Sequence, residues 1–288
     1  MLADGRSPAI YTTKLRQPIL DRAKLVIHVL KLIQTGAIIM TKSRKLRDIS
    51  WTVFEEYKKQ TDLAIVPVGA IEVYGPHLPL GSDGLLADKL AELVAARVGA
   101  LIGPTVETGD STVLNEFPGT ITIRPESLKA YLGDIVNSLL KWGFKRILFI
   151  NGHAGNVPVI NQIVHQIKEQ HSDVLAAQID CWRFIKAQDD GISESGKFSN
   201  GHAGEIGTSV LLHLYPQLVN QSIIIDELPA IEDPFPEIIK YNRLSSISKS
   251  GVVGYPSFAT AEKGETFVQR SVDRIIAFLS EAWDIKPL

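Results

Sequence analysis

Three short polar clusters in the chain combine carboxylate and imidazole side chains, the residue types that bind divalent metals and move protons. The first contains Glu72, Tyr74, His77 and Asp83, the second contains Asn151, His153 and Asn156, and the third contains His202 and Glu205. Carboxylates and neutral imidazoles are suitable ligands for Zn²⁺, Mn²⁺ or Fe²⁺. Three protein ligands leave a position for water, which a divalent metal acidifies to a pKa of roughly 7. The clusters therefore predict metal-assisted hydrolysis if the fold brings them together.

Each cluster also has a structural explanation. Asp83 precedes a helical pattern and could be the N-cap of that helix. His153 could be a backbone-bonded loop residue, and for His77, in a proline-rich loop, we favour a bracing role. Glu72 is different because it follows a buried strand, where an unpaired carboxylate would be costly. Spacing alone leaves the ligand and structural interpretations of Asp83 and His153 open.

The elements around the first cluster place it at the edge of a sheet. The apolar run Leu63–Val68 is bounded by Gly69, which is typical of a strand buried on both faces. A helical pattern follows over Leu85–Val98, and the polar loop lies between the two elements. Because open α/β sheets place their chemistry at the carboxyl ends of the strands, this loop is the first candidate for an active site.

Strand and helix patterns alternate through the rest of the chain. The further predicted strands are Ala100–Pro104, Thr120–Ile123, Arg146–Ile150, Val174–Ile179 and Ile223–Ile225. The predicted helices are Trp51–Lys59 with Ser50 as N-cap, a helix from Pro125 to Gly143, Val157 to about Gln170, Ile206–Leu214 and Gly264–Trp283. This alternation predicts a three-layer α/β/α fold with a mainly parallel central sheet.

Composition limits the class of protein. The chain has 288 residues, is 45% hydrophobic and carries a net charge of −2, which argues against a nucleic-acid-binding protein. The single cysteine, Cys181, suits a reducing cytoplasm. The apolar run at residues 23–40 is interrupted by charges and is too short to span a membrane. We therefore expect an extension over residues 1–39, either an amphipathic helix or a segment upstream of the native start, and one domain over residues 40–288.

Three motifs carry a resemblance to a known family. Residues 68–83 read Val-Gly-Ala-Ile-Glu-Val-Tyr-Gly-Pro-His-Leu-Pro-Leu-Gly-Ser-Asp, residues 151–156 read Asn-Gly-His-Ala-Gly-Asn, and residues 202–209 read His-Ala-Gly-Glu-Ile-Gly-Thr-Ser. In this order they resemble the creatininase (creatinine amidohydrolase) family, from Ile49 to Trp283. The resemblance implies a three-layer α/β fold, a homo-oligomer that is often a hexamer, and a site of one or two metals that hydrolyses amides in small substrates.

The resemblance also assigns roles to individual residues. Glu72 and His153 match ligands of one metal, and Asp83 matches a carboxylate that bridges two metals. His202 matches a catalytic histidine near the substrate, and Trp182 lies where creatininase has a tryptophan that contacts the substrate. We add Glu205 and Tyr74 as catalytic candidates and Gly155 and Asn156 as substrate-binding candidates.

Departures from the family pattern affect the second metal. The usual Glu-Gln-His-Gly is Glu-Val-Tyr-Gly here, so Tyr74 replaces an imidazole ligand. Creatininase itself has a glutamate ligand at the position of Gly155, although many relatives also have glycine there, and Gly207 replaces the usual glutamate of the third motif. A phenol binds these metals poorly unless it is ionised, and its reference pKa is about 10. The sequence therefore predicts one well-formed site for Zn, Mn or Fe and a doubtful second site.

The resulting expectation is a cytoplasmic, metal-dependent hydrolase of a small, cyclic, amide-type substrate that acts through activated water. One alternative is hydrolytic ring opening of a cyclic ketone such as an oxidised inositol, a reaction of some family members. Another is a non-catalytic relative that binds a metabolite. Neither a nucleic acid nor a membrane is an expected partner.

Overall fold

Parallel strands form the centre of the computed structural model, which describes residues 43–229, 234–235, 237–238 and 240–288. Within these residues the strands are β1 (Leu63–Val68), β2 (Leu101–Ile102), β3 (Arg146–Asn151) and β4 (Leu175–Asp180), in the order β2-β1-β3-β4. Val68 pairs with Asn151, and Asn151 pairs with Asp180. The carboxyl ends of β1, β3 and β4 therefore lie level at one edge of the sheet.

Helices cover both faces of the sheet. They are α1 (Trp51–Lys58), α2 (Ser82–Val98), α3 (Pro125–Lys141), α4 (Val157–Gln170), α5 (Cys181–Lys186), α6 (Glu205–Leu214) and α7 (Ala261–Trp283). Alternate β1 residues point to opposite faces, as a strand's two-residue period requires. Leu63 and Ile65 join the apolar cluster of α2, α6 and α7, whereas Ala64 and Val66 join that of α3 and α4. This arrangement confirms the predicted three-layer α/β/α fold.

Helix ends follow local sequence signals. The side chain of Ser50 accepts a hydrogen bond from the Val53 N–H, which confirms the predicted N-cap of α1. The second helix begins at Ser82 rather than at Leu85, so Asp83 lies in its first turn. This helix ends at Gly99, whose φ of 71° is in the left-handed region that favours glycine.

Some predicted strands were wrong. Thr120–Ile123 makes a single antiparallel bridge, between Ile71 and Ile121, instead of a strand. Ile223–Ile225 is not a strand, and Gln221–Ile223 forms a 3₁₀ helix. The run Ala100–Pro104 pairs only over the two residues of β2. Alternating β-branched residues fit a strand, but a strand also needs a neighbour with which to pair.

Residues Arg44–Leu288 form one compact unit. The predicted extension over residues 1–39 lies outside the described residues, so the proposed division of the chain stays a prediction. In the part of the chain that the structure describes, no helix combines the length and apolarity needed to cross a membrane.

Candidate metal centre

Glycines bring the loops after β1 and β3 directly against the start of α2. A Cβ on Gly69 would lie 2.3 Å from the Cα of Gly84. A Cβ on Gly152 would lie 2.2 Å from the carbonyl oxygen of Asp83. Both distances are far too short for a side chain, so only glycine permits this backbone contact. The contact holds Asp83 beside the residues that follow the two strands.

Glu72, Asp83 and His153 come together at this point and are all buried. One ligand atom from each lies within 4.8 Å of the other two. Nδ1 of His153 is 3.1 Å from Oε2 of Glu72 and 3.2 Å from Oδ2 of Asp83. Two carboxylates and one imidazole nitrogen thus converge on one point, as the sequence predicted.

Neighbouring groups fix the orientation of the triad. The hydroxyl of Ser111 donates to Oε2 of Glu72 over 2.6 Å. Nε2 of His153 lies 2.8 Å from the carbonyl oxygen of Asp110. Because a carbonyl only accepts, Nε2 is the donor and Nδ1 faces the carboxylates. Such hydrogen bonds to the outer nitrogen are typical of histidines that bind metals.

The pKa values of the three groups reflect their mutual charge. Burial and the charge of Glu72 raise the pKa of Asp83 to about 7. Burial also raises the pKa of Glu72, but the hydrogen bond and charge of His153 outweigh it and leave a lowered pKa. Burial lowers the pKa of His153, whereas the two carboxylates outweigh it and hold that pKa well above 6.5. The triad therefore favours positive charge at Nδ1.

The residues present fit a divalent metal. Oδ2 of Asp83 is buried and accepts no hydrogen bond from the described residues, although Nδ1 of His153 lies 3.2 Å away. Buried carboxylates need a partner, and two of them share one imidazole here. Oxygen and imidazole donors suit Zn²⁺, Mn²⁺ or Fe²⁺. Glu72 through Oε2, Asp83 through Oδ2 and His153 through Nδ1 would hold such an ion.

Aromatic rings border the triad. The ring centroid of Tyr74 is 4.6 Å from that of His202 and 5.8 Å from that of Trp182. The indole N–H of Trp182 donates to Oδ1 of Asp83 over 2.9 Å. Burial, with the charges of Asp83 and Glu72, raises the pKa of Tyr74 well above 10, so its phenol is neutral at physiological pH. Tyr74, Trp182 and His202 thus lie beside the triad, and their catalytic and substrate-binding roles stay predictions.

His202 lies on the loop before α6. Its Nε2 is 2.7 Å from the carbonyl oxygen of Val73, so Nε2 donates and Nδ1 carries the lone pair. Burial lowers the pKa of His202, although the charge of Glu72 opposes this shift. The imidazole is therefore neutral near pH 7 and is able to accept a proton at Nδ1.

Glu205 is not part of the triad. Its carboxylate accepts hydrogen bonds from the N–H groups of Glu194 and Ser195 and from the Ser195 hydroxyl. Lys263 of α7 lies 2.7 Å from Oε1 of Glu205. These contacts tie the loop before His202 to α7. The catalytic role of Glu205 stays a prediction, and its bonds give it a structural role.

Asn156 and Gly155 hold the loops in place. The amide of Asn156 is buried, donates to the carbonyl oxygen of Gly69 over 3.0 Å and accepts from the Asp110 N–H over 3.0 Å. A Cβ on Gly155 would lie 2.2 Å from the carbonyl oxygen of Asp110. Their substrate-binding roles stay predictions, since both residues serve the packing around His153.

His77 braces its loop, which agrees with the bracing role that we favoured. Its Nε2 lies 2.9 Å from Oγ1 of Thr208. Because that hydroxyl donates to the carbonyl oxygen of Ala203, Nε2 is the donor to Oγ1. Burial lowers the pKa of His77 to about 4, so the ring is neutral and links the first polar loop to α6.

Sequence analysis missed Ser111 and Asp110, which contact Glu72 and His153. Both lie in a polar loop after β2, on the same edge of the sheet as the triad. The position after a strand was the available signal, but β2 has only two residues and the loop carries no distinctive spacing.

The parallel sheet and the buried triad at its carboxyl edge define an α/β enzyme class with a candidate metal centre. A family model described as "Creatininase: Creatinine amidohydrolase" matches residues 47–279. The chain belongs to the creatininase family. Members of this family are metal-dependent hydrolases, and the chain is a hydrolase of this type.

Similar proteins carry several hydrolase names. A mycofactocin precursor peptide peptidase of Mycolicibacterium smegmatis is 32% identical over 221 residues, 73% of this chain and 81% of that protein. Creatinine amidohydrolase of Pseudomonas putida is 27% identical and covers 84% and 98% of the two chains. A 3-dehydro-scyllo-inosose hydrolase of Thermotoga maritima is 28% identical over 76% of each chain.

Solved creatininase structures share the fold. A mutant creatininase of the Zn-Zn type has a TM-score of 0.73 at 27% identity, covering 84% of this chain and 98% of its own. A structure titled "Creatininase Mn" has a TM-score of 0.71 at 27% identity, with coverages of 84% and 99%. These two similar structures are thus named for zinc and for manganese.

Proposed function

We propose that this chain hydrolyses an amide bond with a divalent metal held by Glu72, Asp83 and His153. The convergence of two buried carboxylates on Nδ1 of one histidine carries this proposal. When bound, a divalent metal supplies Lewis acidity and lowers the pKa of water toward about 7. The protein supplies the orientation of the ligands, through Ser111 and Asp110, and the exclusion of bulk water by burial.

A peptide amide is the substrate class that we favour. The peptidase relatives include one at 32% identity, whereas the creatinine amidohydrolase is 27% identical. Peptidases and creatinine amidohydrolase share cleavage of an amide, so the same chemistry serves both. The cyclic amide that the sequence predicted is the second substrate class to be assayed. A cyclic ketone, cleaved by ring opening, is the third, because an inosose hydrolase is also similar to this chain.

His202 is the residue that we assign to proton transfer. Its Nε2 is fixed on the Val73 carbonyl, which leaves Nδ1 to accept a proton from the attacking water. The same atom then delivers the proton to the leaving nitrogen of the amide, which completes the cleavage. Positioned proton transfer contributes roughly 10²–10⁴-fold, so His202→Ala should lower kcat by about that factor with the metal still bound.

Tyr74 and Glu205 are assigned supporting roles. We assign the neutral Tyr74 phenol, in a ring cluster with His202 and Trp182, to a hydrogen bond with the substrate carbonyl oxygen. Tyr74→Phe should then slow turnover without changing the metal content. Glu205 positions the His202 loop through its bonds to Ser195 and Lys263.

The test uses chelator-treated full-length protein resupplied with Mn²⁺, Zn²⁺ or Fe²⁺ in separate samples. Each sample is assayed with short peptides, cyclic amides and inososes. We expect metal-dependent cleavage of peptides, and a loss of at least about 100-fold in Glu72→Gln, since a direct ligand should matter more than the outer groups whose loss costs 10–100-fold. The exposed Glu116→Gln is the matched control and should behave like wild type.

Three results would contradict the proposal. Equal turnover with and without metal would remove the role of the triad. Full metal content in Glu72→Gln would remove its role as a ligand. Metal binding without turnover of any substrate class would favour the non-catalytic relative.

A cytoplasmic homo-oligomer, hexameric as in many family members, is also part of the proposal. The buried thiol of Cys181 is consistent with a reducing compartment. Size-exclusion chromatography with light scattering measures the assembly directly, and a monomer would contradict it.

A further inference from the structure

The backbone directly after His202 has an unusual conformation. Ala203 has a φ of 51°, in the left-handed region that residues with a side chain seldom adopt. Such conformations persist only where surrounding contacts fix them, and they are frequent at functional sites. One contact comes from the hydroxyl of Thr208, which donates to the carbonyl oxygen of Ala203 over 3.2 Å. Further contacts come from a segment about fifty residues away in the chain.

Residues 248–254, which we call the clamp, pack against this turn. The N–H of Val253 donates over 2.8 Å to the carbonyl oxygen of His202, which belongs to the peptide bond that leads into Ala203. A Cβ on Gly201 would lie 1.7 Å from the carbonyl oxygen of Val253, so the two backbones are in direct contact. The clamp therefore fixes the backbone of His202 from outside its own loop.

The clamp also contacts the loop after β1, which binds the His202 ring. Nε2 of His202 donates to the carbonyl oxygen of Val73. A Cβ on Gly251 would lie 2.5 Å from Cγ2 of Val73, and a Cβ on Gly75 would lie 2.7 Å from Cγ2 of Val252. The same segment thus packs against the carbonyl group that orients the ring and against the backbone that carries it.

The carboxylate of Glu227 binds both ends of the clamp. Its Oε2 accepts from the Ser248 hydroxyl and from the Ser250 N–H, each over 2.8 Å, and from the Ser250 hydroxyl. Its Oε1 accepts from the Lys249 N–H over 2.7 Å. The backbones of Glu227 and Gly254 exchange two further hydrogen bonds, of 2.7 and 3.2 Å. Glu227 therefore fixes the shape of the segment that holds His202.

These hydrogen bonds require a carboxylate. Burial acts to raise the pKa of Glu227, but the Ser250 hydroxyl and the N–H groups of Lys249 and Ser250 outweigh it and lower that pKa to about 2. The Ser250 hydroxyl in turn accepts from the Val252 N–H over 3.2 Å, which extends the network into the clamp. A glutamine has one acceptor oxygen in place of two, so Glu227→Gln leaves donors of the clamp unsatisfied.

We infer that Glu227 is a positioning residue for the proton transfer assigned to His202. This inference rests on the proposed function, in which His202 moves the proton. Glu227 acts through the clamp, since its carboxylate bonds to residues 248–250 and the Val253 N–H bonds to His202. Misplacement of a catalytic group by about 1 Å costs about 10²-fold in rate, so loss of the Glu227 carboxylate should slow the chemical step while the triad keeps its metal.

Glu227→Gln in the full-length, metal-loaded protein tests this inference. The kcat for the substrate class that wild type cleaves should fall by about 10–100-fold, which is less than the loss of His202 itself. KM and the metal content should stay near their wild-type values. Asp226→Asn is the matched control, because this neighbouring carboxylate accepts from the N–H and hydroxyl of Ser257, outside the clamp. It should leave kcat unchanged.

A double-mutant comparison separates positioning of His202 from a general structural role. Residues that act as a unit have non-additive effects on kcat. In a His202→Ala background, Glu227→Gln should therefore have little further effect. An equal fall of kcat in both backgrounds would overturn the inference, because Glu227 would then act independently of His202.

Amide hydrogen exchange provides a readout that needs no activity. In Glu227→Gln the N–H of Val253 should exchange faster, whereas the amides of residues 151–156, which include His153, should exchange as in wild type. Unchanged exchange at Val253 would overturn the inference. Ser250→Ala removes one hydroxyl donor and keeps the carboxylate, so it is the milder variant if Glu227→Gln fails to fold. It should change kcat and exchange in the same directions, and wild-type values of both would overturn the inference.

The failure of this inference is distinguishable from that of the proposed function. An active wild type with full kcat in folded Glu227→Gln would overturn the role of Glu227 and leave the hydrolase proposal intact. Absence of turnover in metal-loaded wild type would overturn the hydrolase proposal, and with it the role of Glu227 in proton transfer.

Discussion

Asp83 and Glu205 are both buried carboxylates, but their surroundings differ. Asp83 is 1% exposed and shares one imidazole with Glu72, and its Oδ2 accepts no hydrogen bond from the described residues. Glu205 is 0% exposed and has the Lys263 ammonium at 2.7 Å, with backbone N–H groups on both oxygens. The first carboxylate has only a share of one imidazole as charge compensation, whereas the second has an ammonium group and several hydrogen-bond donors.

The pKa values follow this difference. Burial and the charge of Glu72 raise the pKa of Asp83 to about 7. Burial also acts to raise the pKa of Glu205, but the bonds from Lys263 and Ser195 outweigh it and lower that pKa. Buried charge is costly unless paired, so an under-compensated carboxylate indicates a site for an external cation. A compensated carboxylate indicates a structural link.

The largest effect should come from Asp83→Asn. The change removes a ligand, so metal affinity and turnover should each fall by at least about 100-fold, more than for outer groups around a metal. The metal-free variant should melt no lower than metal-free wild type, because one of two poorly compensated charges is gone. Elemental analysis, activity and thermal melts measure these effects.

The exposed Asp173→Asn is the control for Asp83→Asn and should leave metal content unchanged. A clear drop in the melting temperature of metal-free Asp83→Asn would show that Asp83 stabilises the fold as Glu205 does. The comparison between the two carboxylates would then fail.

Lys263→Met should produce the opposite pattern. Removing one partner of a buried ion pair costs about 3–5 kcal/mol, and we expect the lower end because Glu205 keeps its N–H donors. Urea unfolding of metal-free protein measures this loss. The metal content of the folded variant should equal that of wild type, since Lys263 contacts no triad residue.

Lys145→Met is the matched control for Lys263→Met. Lys145 pairs with Asp173 over 2.5 Å, but both side chains are at least half exposed. Such pairs contribute about 0–1 kcal/mol, so the control should lose no more than that. Equal losses in the two lysine variants would show that the burial of Glu205 has no special consequence.

A smaller effect should appear in the acid range. The pKa of Glu205 is lowered in the folded protein from an ordinary value of 4.5. Its contribution to stability is therefore present above about pH 4.5 and is lost as the pH falls through the lowered pKa. Glu205→Gln should lower stability at pH 7 and should weaken the acid dependence of the free energy of unfolding.

Urea unfolding between pH 3 and pH 7 measures that dependence, with exposed Glu55→Gln as control. If Glu205→Gln and wild type lose stability in parallel on acidification, the carboxylate is not the compensated charge that its contacts indicate. If Glu55→Gln loses stability on acidification as wild type does, the effect of Glu205→Gln comes from its site and not from the loss of one negative charge.

Sequence patterns predicted the elements that bear the triad because they are local. The apolar run of β1, the periodicity of α2 and the glycines around His153 each lie within about twenty residues of the ligand they place. A resemblance to family motifs then named Glu72, Asp83 and His153 together. Local signals and motif order sufficed, since Asp83 lies in the first turn of α2, His153 two residues after β3 and Glu72 four residues after β1.

Other features depended on distant partners. Lys263 is 58 residues from Glu205, and nothing in the motif around Glu205 indicates that a lysine of α7 compensates it. The short helix Cys181–Lys186 was not predicted because six residues give too little periodicity. The bond from Trp182 to Asp83 spans 99 residues and needs the packed fold to appear. The sequence patterns did not indicate these contacts between residues that are far apart in the chain.

The buried amide of Asn156 has a kinetic consequence. It joins the loop after β1 through Gly69, the end of β3 through Asn151 and the loop after β2 through Asp110. These three chain segments are therefore already fixed when an ion arrives, so loading requires no ordering of the backbone. Uptake of an ion by protein stripped with a chelator should therefore show no slow phase from backbone ordering.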